Sequence, residues 1–360
     1  MAKIMGFPKK FHFSTYQKYA HTYYNQSEFP LSLQQLKTKN STAMRNFAWA
    51  LIALLGLVLA SCGQQEVKRR AKAKHVIMIG IDGWASKSMA QADMPTVKGK
   101  LMAEGSYTLE KRSVLPSASA INWASNFMGV GTESHGYTTW GSKVPEIPSS
   151  VTNAHGIFPT IFSILKEQQP ESKTAAIFDW DGIKYVIDTL AVDHVMQRDH
   201  AGYGKEFGED CGDPLDYVKE AVQVIKEEKP TLFAVYFGGL DETGHTYGWY
   251  TEKYYAFETI LDECIAQLIE ATKEAGIYDD TIFVLTADHG GIDKGHGGIT
   301  LEEMLSPFIA YGKGIRQGFQ MTDAMMQYDV AATVAYILGL ETPQAWVGRP
   351  MTSIFEDQNN

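Results

Sequence analysis

Three short apolar runs end in clusters of carboxylate and imidazole side chains, and this pattern restricts the fold more than any other feature of the sequence. His75 to Ile81 (HVIMIGI) leads into Asp82-Gly83. Thr231 to Phe237 (TLFAVYF) leads into Gly-Gly-Leu-Asp241-Glu-Thr-Gly-His245. Thr281 to Thr286 (TIFVLT) leads into Ala-Asp288-His289-Gly-Gly. Apolar, β-branched runs of this length, with no polar alternation, read as strands buried on both faces. Similar runs at Thr174 to Phe178 and Pro307 to Tyr311 alternate with helical patterns at Asp216 to Lys229, Glu252 to Ala275 and Asp329 to Leu338. Such alternation predicts a layered α/β/α fold around a largely parallel sheet. Ligand sites in these folds collect at the carboxyl ends of the strands, where the three clusters fall.

Asp82, Asp241, His245, Asp288, His289 and His296 supply three carboxylates and three imidazoles, with His296 in the glycine-rich segment GHGG. Mixed oxygen and nitrogen donors of this kind suit divalent metal ions, zinc in particular. Asp241 and His245 are about one helical turn apart and can converge on one ion. Asp288 and His289 are adjacent, so one of them must lie in a turn, which Gly290-Gly291 permits. The net charge of −10 argues against a nucleic-acid-binding surface. An anionic substrate then has to be held locally, which bound cations achieve. Cysteine is confined to Cys62, Cys211 and Cys264, so no disulfide framework is expected. Cys211 and Cys264 could pair in an oxidising compartment, but Cys264 falls in a helical pattern where a buried thiol is the plainer reading.

The chain has 360 residues, and the catalytic domain is expected over residues 75–356. Met44 to Cys62 combines a basic Arg45, an apolar run from Phe47 to Ala60 and small residues before Cys62, which is the layout of a signal peptide. The run is too short to span a bilayer comfortably, where about 20 apolar residues are needed. Leu59-Ala60-Ser61-Cys62 resembles the lipobox of bacterial lipoproteins, in which the cysteine carries the lipid. The expectation is therefore an exported lipoprotein held by Cys62 at the periplasmic side or outer membrane. Residues 1–43 read as an extension preceding the native start, and residues 63–74 as a polar tether.

A hydroxyl nucleophile is offered by Leu-Pro116-Ser117-Ala-Ser119-Ala-Ile-Asn122, just before a helical pattern from Asn122 to Met128. Either serine could cap the helix. Ser119 lies closer to its start, where the dipole and a nearby cation favour a developing oxyanion.

Taken together, Ile-Asp82-Gly, the Pro116-to-Asn122 segment, Glu133-Ser134-His135-Gly136, Asp241-x-x-Gly-His245, Asp288-His289-Gly and GHGG resemble the alkaline phosphatase superfamily. The resemblance is to its type I phosphodiesterase and nucleotide pyrophosphatase branch and runs roughly from Lys74 to Phe355. It implies an alkaline-phosphatase-like fold and a two-metal phosphohydrolase acting on small phosphate esters through a phosphoserine at Ser119. One ion would be held by Asp241, His245 and His296, the other by Asp82, Asp288 and His289 with Ser119 beside it. Where the family usually has an asparagine that donates to a phosphate oxygen, this chain has Trp140; Thr138, Thr139 or Asn122 could donate instead, and Trp140 could simply form a hydrophobic wall.

No arginine follows Ser119 before Arg198, which favours diesters over the alternative of a phosphomonoesterase on the same fold. The x-Pro-x-Arg continuation of sulfatases is missing after either serine. A non-catalytic metal-binding lipoprotein is the remaining alternative, and no ligand position has been lost in its favour. Trp123, Trp140, Trp180, Tyr247, Trp249 and Tyr250 could stack on a base or sugar, or pack as core.

Overall fold

The computed structural model describes residues 70–198 and 214–356. Cys62, Cys211, the expected signal peptide and extension, and most of the expected tether lie outside the described residues. Eight strands, β1 (His75–Ile81), β2 (Ser106–Arg112), β3 (Thr174–Phe178), β4 (His194–Gln197), β5 (Leu232–Phe237), β6 (Thr281–Thr286), β7 (Leu305–Gly312) and β8 (Phe319–Gln320), form one sheet. Its order is β4-β3-β5-β1-β6-β7-β2-β8. The block from β4 to β6 is parallel, and β7 runs antiparallel to both β6 and β2.

Alternation along the strands explains the layers. Val76 and Met78 of β1 join Ala234, Tyr236, Ile282 and Val284 in one core, while Ile77, Ile79 and Ile81 join Phe233, Val235, Phe283 and Leu285 in another. The first core is covered by α1 (Ser119–Met128), α2 (Ile161–Gln168) and α6 (Asp329–Ile337), the second by α3 (Pro214–Glu228) and α5 (Glu252–Glu274). Because both faces are buried, the strands carry apolar side chains in succession, which is why they read as continuous runs. Among the described residues no helix is long and apolar enough to cross a membrane.

Several elements differ from the sequence reading, β4, β8 and α2 among them, and two of the differences concern the surroundings of the site. Strand β2 was not expected, because SYTLEKR reads as polar; the aliphatic stem and ammonium of Lys111 are nevertheless fully buried. Helix α1 begins at Ser119 rather than Asn122, and all ten of its residues are buried. Trp123 of this helix lies across Gly80, where a Cβ would come 2.5 Å from the indole ring. Only glycine in the strand allows that close approach.

Register brings the candidate ligands together. Gly80 lies opposite Tyr236 of β5 and Thr286 of β6, so β5, β1 and β6 release their chains at one edge of the sheet. Asp82 follows β1, Asp288 and His289 follow β6, and Asp241 and His245 lie on α4 (Gly239–Tyr247) directly after β5.

Candidate active site

The turn after β1 needs a left-handed residue: Gly83 has φ +67°, and a Cβ there would lie 2.7 Å from Asp241 Oδ1. Its amide donates to Asp288 Oδ1 at 3.0 Å, tying two of the strand ends together. Asp82 Oδ2 accepts from Trp123 Nε1 at 2.8 Å and from the Tyr236 hydroxyl. Its other oxygen therefore faces inward, 3.5 Å from Ser119 Oγ and 3.6 Å from His289 Nε2. Sequence reading missed both donors because each is far from Asp82 along the chain; only strand register and helix packing reveal them.

All three histidines are oriented alike. Nδ1 of His289 bonds to the Gly290 carbonyl at 2.8 Å, that of His245 to the Lys294 carbonyl at 3.0 Å, and that of His296 to the Ser117 carbonyl at 3.0 Å. A carbonyl can only accept, so Nδ1 carries the proton and Nε2 presents a lone pair. The Nε2 atoms of His245 and His296 then stand 3.1 Å apart, with Asp241 Oδ2 3.3 Å from the first and Oδ1 3.7 Å from the second. Asp288 Oδ2 lies 3.0 Å from His289 Nε2. Asp241 Oδ1 and Asp288 Oδ2 are buried without a hydrogen-bond donor.

Two imidazole Nε2 atoms 3.1 Å apart beside buried, undonated carboxylate oxygens form a donor set suited to a cation. The donor set accordingly fits divalent metal: Asp241, His245 and His296 converge as one group, and Asp82, Asp241 and His289 as a second with Asp288 beside it. Asp241 stands between the two groups. Burial, with Asp288 and Asp241 nearby, pushes the Asp82 carboxyl well above its usual range. The hydrogen bond to Asp241 raises His245 to about 9, and burial with neighbouring His289 lowers His296 to about 4. Against the cost of burial, Asp288, Asp82 and Asp241 raise His289 to about 10, so without a cation protonated imidazoles meet the carboxylates, a role a bound metal ion would take over.

Ser119 and Ser117 have different surroundings. Ser119 Oγ lies 3.2 Å from His289 Nε2 at the N-terminal end of α1 and lines a cavity of about 580 Å³. The Ser117 hydroxyl donates to the Gly298 carbonyl at 2.8 Å, and its own carbonyl positions His296, so it braces the GHGG loop. Thr139 and Trp140 line the cavity. The Thr139 hydroxyl is engaged with Ser142 and Glu146.

Asn122 requires a correction. It was a candidate phosphate donor, but its side chain is fully buried and does not line the cavity. Its Oδ1 accepts from Val114 N at 2.8 Å, and its Nδ2 donates to the carbonyls of Val114, Pro116 and Ala118. Asn122 shapes the loop that presents Ser119. Replacing it with alanine leaves several buried backbone groups unpaired and is expected to cost roughly 2–4 kcal/mol of stability. A urea unfolding midpoint lowered by less than about 0.5 kcal/mol equivalent would contradict this role. Of the other aromatic candidates, Trp180 lines the cavity, whereas Trp123 and Trp249 are core. Arg198 pairs with Glu220 away from the cavity lining.

The family model for type I phosphodiesterase/nucleotide pyrophosphatase matches residues 76–320, more than half of the chain. The chain belongs to that family. A GPI ethanolamine phosphate transferase 1 from Gibberella zeae is 29% identical over 152 residues, which is 36% of this chain and 16% of the relative. The chain thus spans less than a fifth of that relative's length. Among solved structures, murine ectonucleotide pyrophosphatase/phosphodiesterase 5 superposes with TM-score 0.62 at 14% identity, covering 78% of this chain and 100% of that one. A variant of the alkaline phosphatase PafA gives 0.63 at 11% identity, covering 79% and 99%. At such identities these two report the fold, which is the expected layered, mostly parallel α/β sheet.

Proposed function

We propose that this chain is a two-metal phosphodiesterase acting through a phosphoserine on Ser119. The observation that carries the reading is the position of the Ser119 hydroxyl in the cavity lining, facing both His289 Nε2 and Asp82 Oδ1. One divalent cation, zinc by its donors, would be held by Asp241, His245 and His296, the other by Asp82, Asp288 and His289; bound there, the pair supplies positive charge for the phosphate and lowers the pKa of the serine hydroxyl.

The chain's own residues do the rest. Asp82, fixed through its other oxygen by Trp123 and Tyr236, and His289, fixed through Nδ1, hold the ground on which Ser119 is aimed. The positive end of the α1 dipole stabilises charge developing at Ser119. Ser119 Oγ bonds to phosphorus while one ester P–O bond breaks, and the departing alcohol ends with the proton the serine gives up. Water then cleaves the phosphoserine, returning the hydroxyl and releasing the monoester.

Diester preference is supported by the cavity lining, which among the described residues contains no lysine or arginine to meet the second charge of a monoester dianion. The relatives matched over part of this chain are named for the transfer of ethanolamine phosphate, itself a phosphate ester. The test compares kcat/KM for bis-p-nitrophenyl phosphate and p-nitrophenyl phosphate. A diester advantage is expected; a monoester advantage of roughly tenfold, about 1.4 kcal/mol of transition-state binding, would establish the phosphomonoesterase alternative instead.

The chain is further proposed to be exported and lipid-anchored through Cys62, at the periplasmic face or outer membrane, on the strength of the Leu59-to-Cys62 lipobox. Cys62→Ala should move the protein from the membrane to the soluble fraction. Unchanged fractionation would refute the anchor.

A further inference from the structure

A lysine sealed from water lies behind the ligand pair that follows β6. Lys111 is fully buried, and its Nζ donates to the Ala287 carbonyl at 2.7 Å and to Gln327 Oε1 at 2.5 Å. Ala287 immediately precedes Asp288 and His289. Its carbonyl also accepts from Gln327 Nε2 at 2.6 Å and, more loosely, from Asn126 Nδ2 at 3.4 Å on α1, the helix that begins at Ser119. Side chains from β2, from the segment leading into α6 and from the nucleophile's own helix thus meet on one oxygen.

A register shift makes this reach possible. Thr108 of β2 faces Phe308 of β7 and Lys111 faces Ser306, so three steps along β2 match two along β7. The extra residue is a bulge: Ser106 and Thr108 are buried before it, whereas after it Glu110 is exposed and Lys111 buried. Bulges beside active sites commonly re-aim a side chain. Without this one, Glu110 would take the buried side and Lys111 the exposed one. From β2 the lysine passes β7 to reach the chain leaving β6, two strand spacings or about 10 Å, and the residue it faces on β7 is the small Ser306. Two residues further on, Ser113 Oγ donates to the Asp288 carbonyl at 2.6 Å. Alternate residues at this end of β2 therefore hold successive carbonyls of the ligand segment.

Folding alone does not call for a lysine here. Burial lowers its ammonium to about 7, against the pull of nearby Asp288. An aliphatic side chain of similar length would fill the space without that cost. Resting on the two-metal reading above, we propose that Lys111 is a positioning residue. By fixing the Ala287 carbonyl it orients Asp288 and His289, and so sets the affinity for the ion they hold while leaving the ion of Asp241, His245 and His296 unaffected.

The experiment uses the full-length chain and measures zinc affinity by competition with a chromophoric chelator. His245→Ala leaves the ion of Asp82, Asp288 and His289 to be measured alone, and His289→Ala leaves the ion of Asp241, His245 and His296. Lys111→Met should weaken zinc binding in the first background by about tenfold to a hundredfold, the range for losing an outer partner of a metal ligand. In the second background the change should stay below about twofold, as for sites that share no partner. If Lys111→Met does not fold, Gln327→Glu keeps the side-chain shape and removes the amide donor to Ala287; the same selective loss, about tenfold, is expected. Unchanged zinc affinity in the His245→Ala background, or equal weakening in both backgrounds, overturns the positioning role and leaves the two-metal reading intact. An unaltered chain that takes up no zinc overturns that reading, and the role of Lys111 with it.

Discussion

Ser119→Ala should reduce kcat by about three to five orders of magnitude, because it removes the group on which the phosphoryl transfer is built. Metal content should be unchanged, since the six carboxylate and imidazole donors remain in place. Ser117→Ala should behave differently. Its hydroxyl bonds to the Gly298 carbonyl rather than facing the cavity, so its loss loosens the loop that bears His296 and costs a modest rate factor, on the order of tenfold or less. Rapid acid quenching followed by peptide mapping should find phosphate on Ser119. Phosphate on Ser117, or a Ser119→Ala enzyme with undiminished turnover, would refute the assignment.

Removing metal should have the second largest effect. Dialysis against a strong chelator is expected to abolish activity and to lower the melting temperature by roughly 10 °C, the shift for a ligand bound far above its dissociation constant in a domain of this size. The reason is electrostatic as well as chemical. Asp82, Asp241 and Asp288 are buried together, and two of their oxygens have no donor. About two equivalents of zinc should restore both properties. Chelator-treated protein that contains no transition metal by elemental analysis and retains full activity would exclude the mechanism.

The parts of the molecule that could be read from sequence are those encoded locally. Strands β1, β3, β5 and β6 announce themselves because burial on both faces leaves no polar alternation to confuse them, and the first ligands follow β1, β5 and β6 within a few residues. Strand β2 was hidden because Lys111 is buried by a distant partner set, the Ala287 carbonyl and Gln327, which no local pattern reveals. Asn122 misled for a related reason. An asparagine at a helix start beside a nucleophile suits substrate binding equally well, and only the path of residues 114–118 shows that its amide is satisfied by backbone. Trp123 was weighed as a stacking surface, whereas the fold makes it the donor that orients Asp82.

The burial of helix α1 on every side has an evolutionary corollary. Ser119, Trp123 and the strand glycine beneath the indole form one rigid mount, and a single methyl group at Gly80 would displace it without altering any reacting group. The loops that carry Trp140, Val144 and Ile299 lie outside that mount. Descendants of such a chain can acquire new leaving-group preferences by exchanging loops while inheriting the chemistry intact, so within its lineage specificity should diverge rapidly and the pitch of the nucleophile hardly at all.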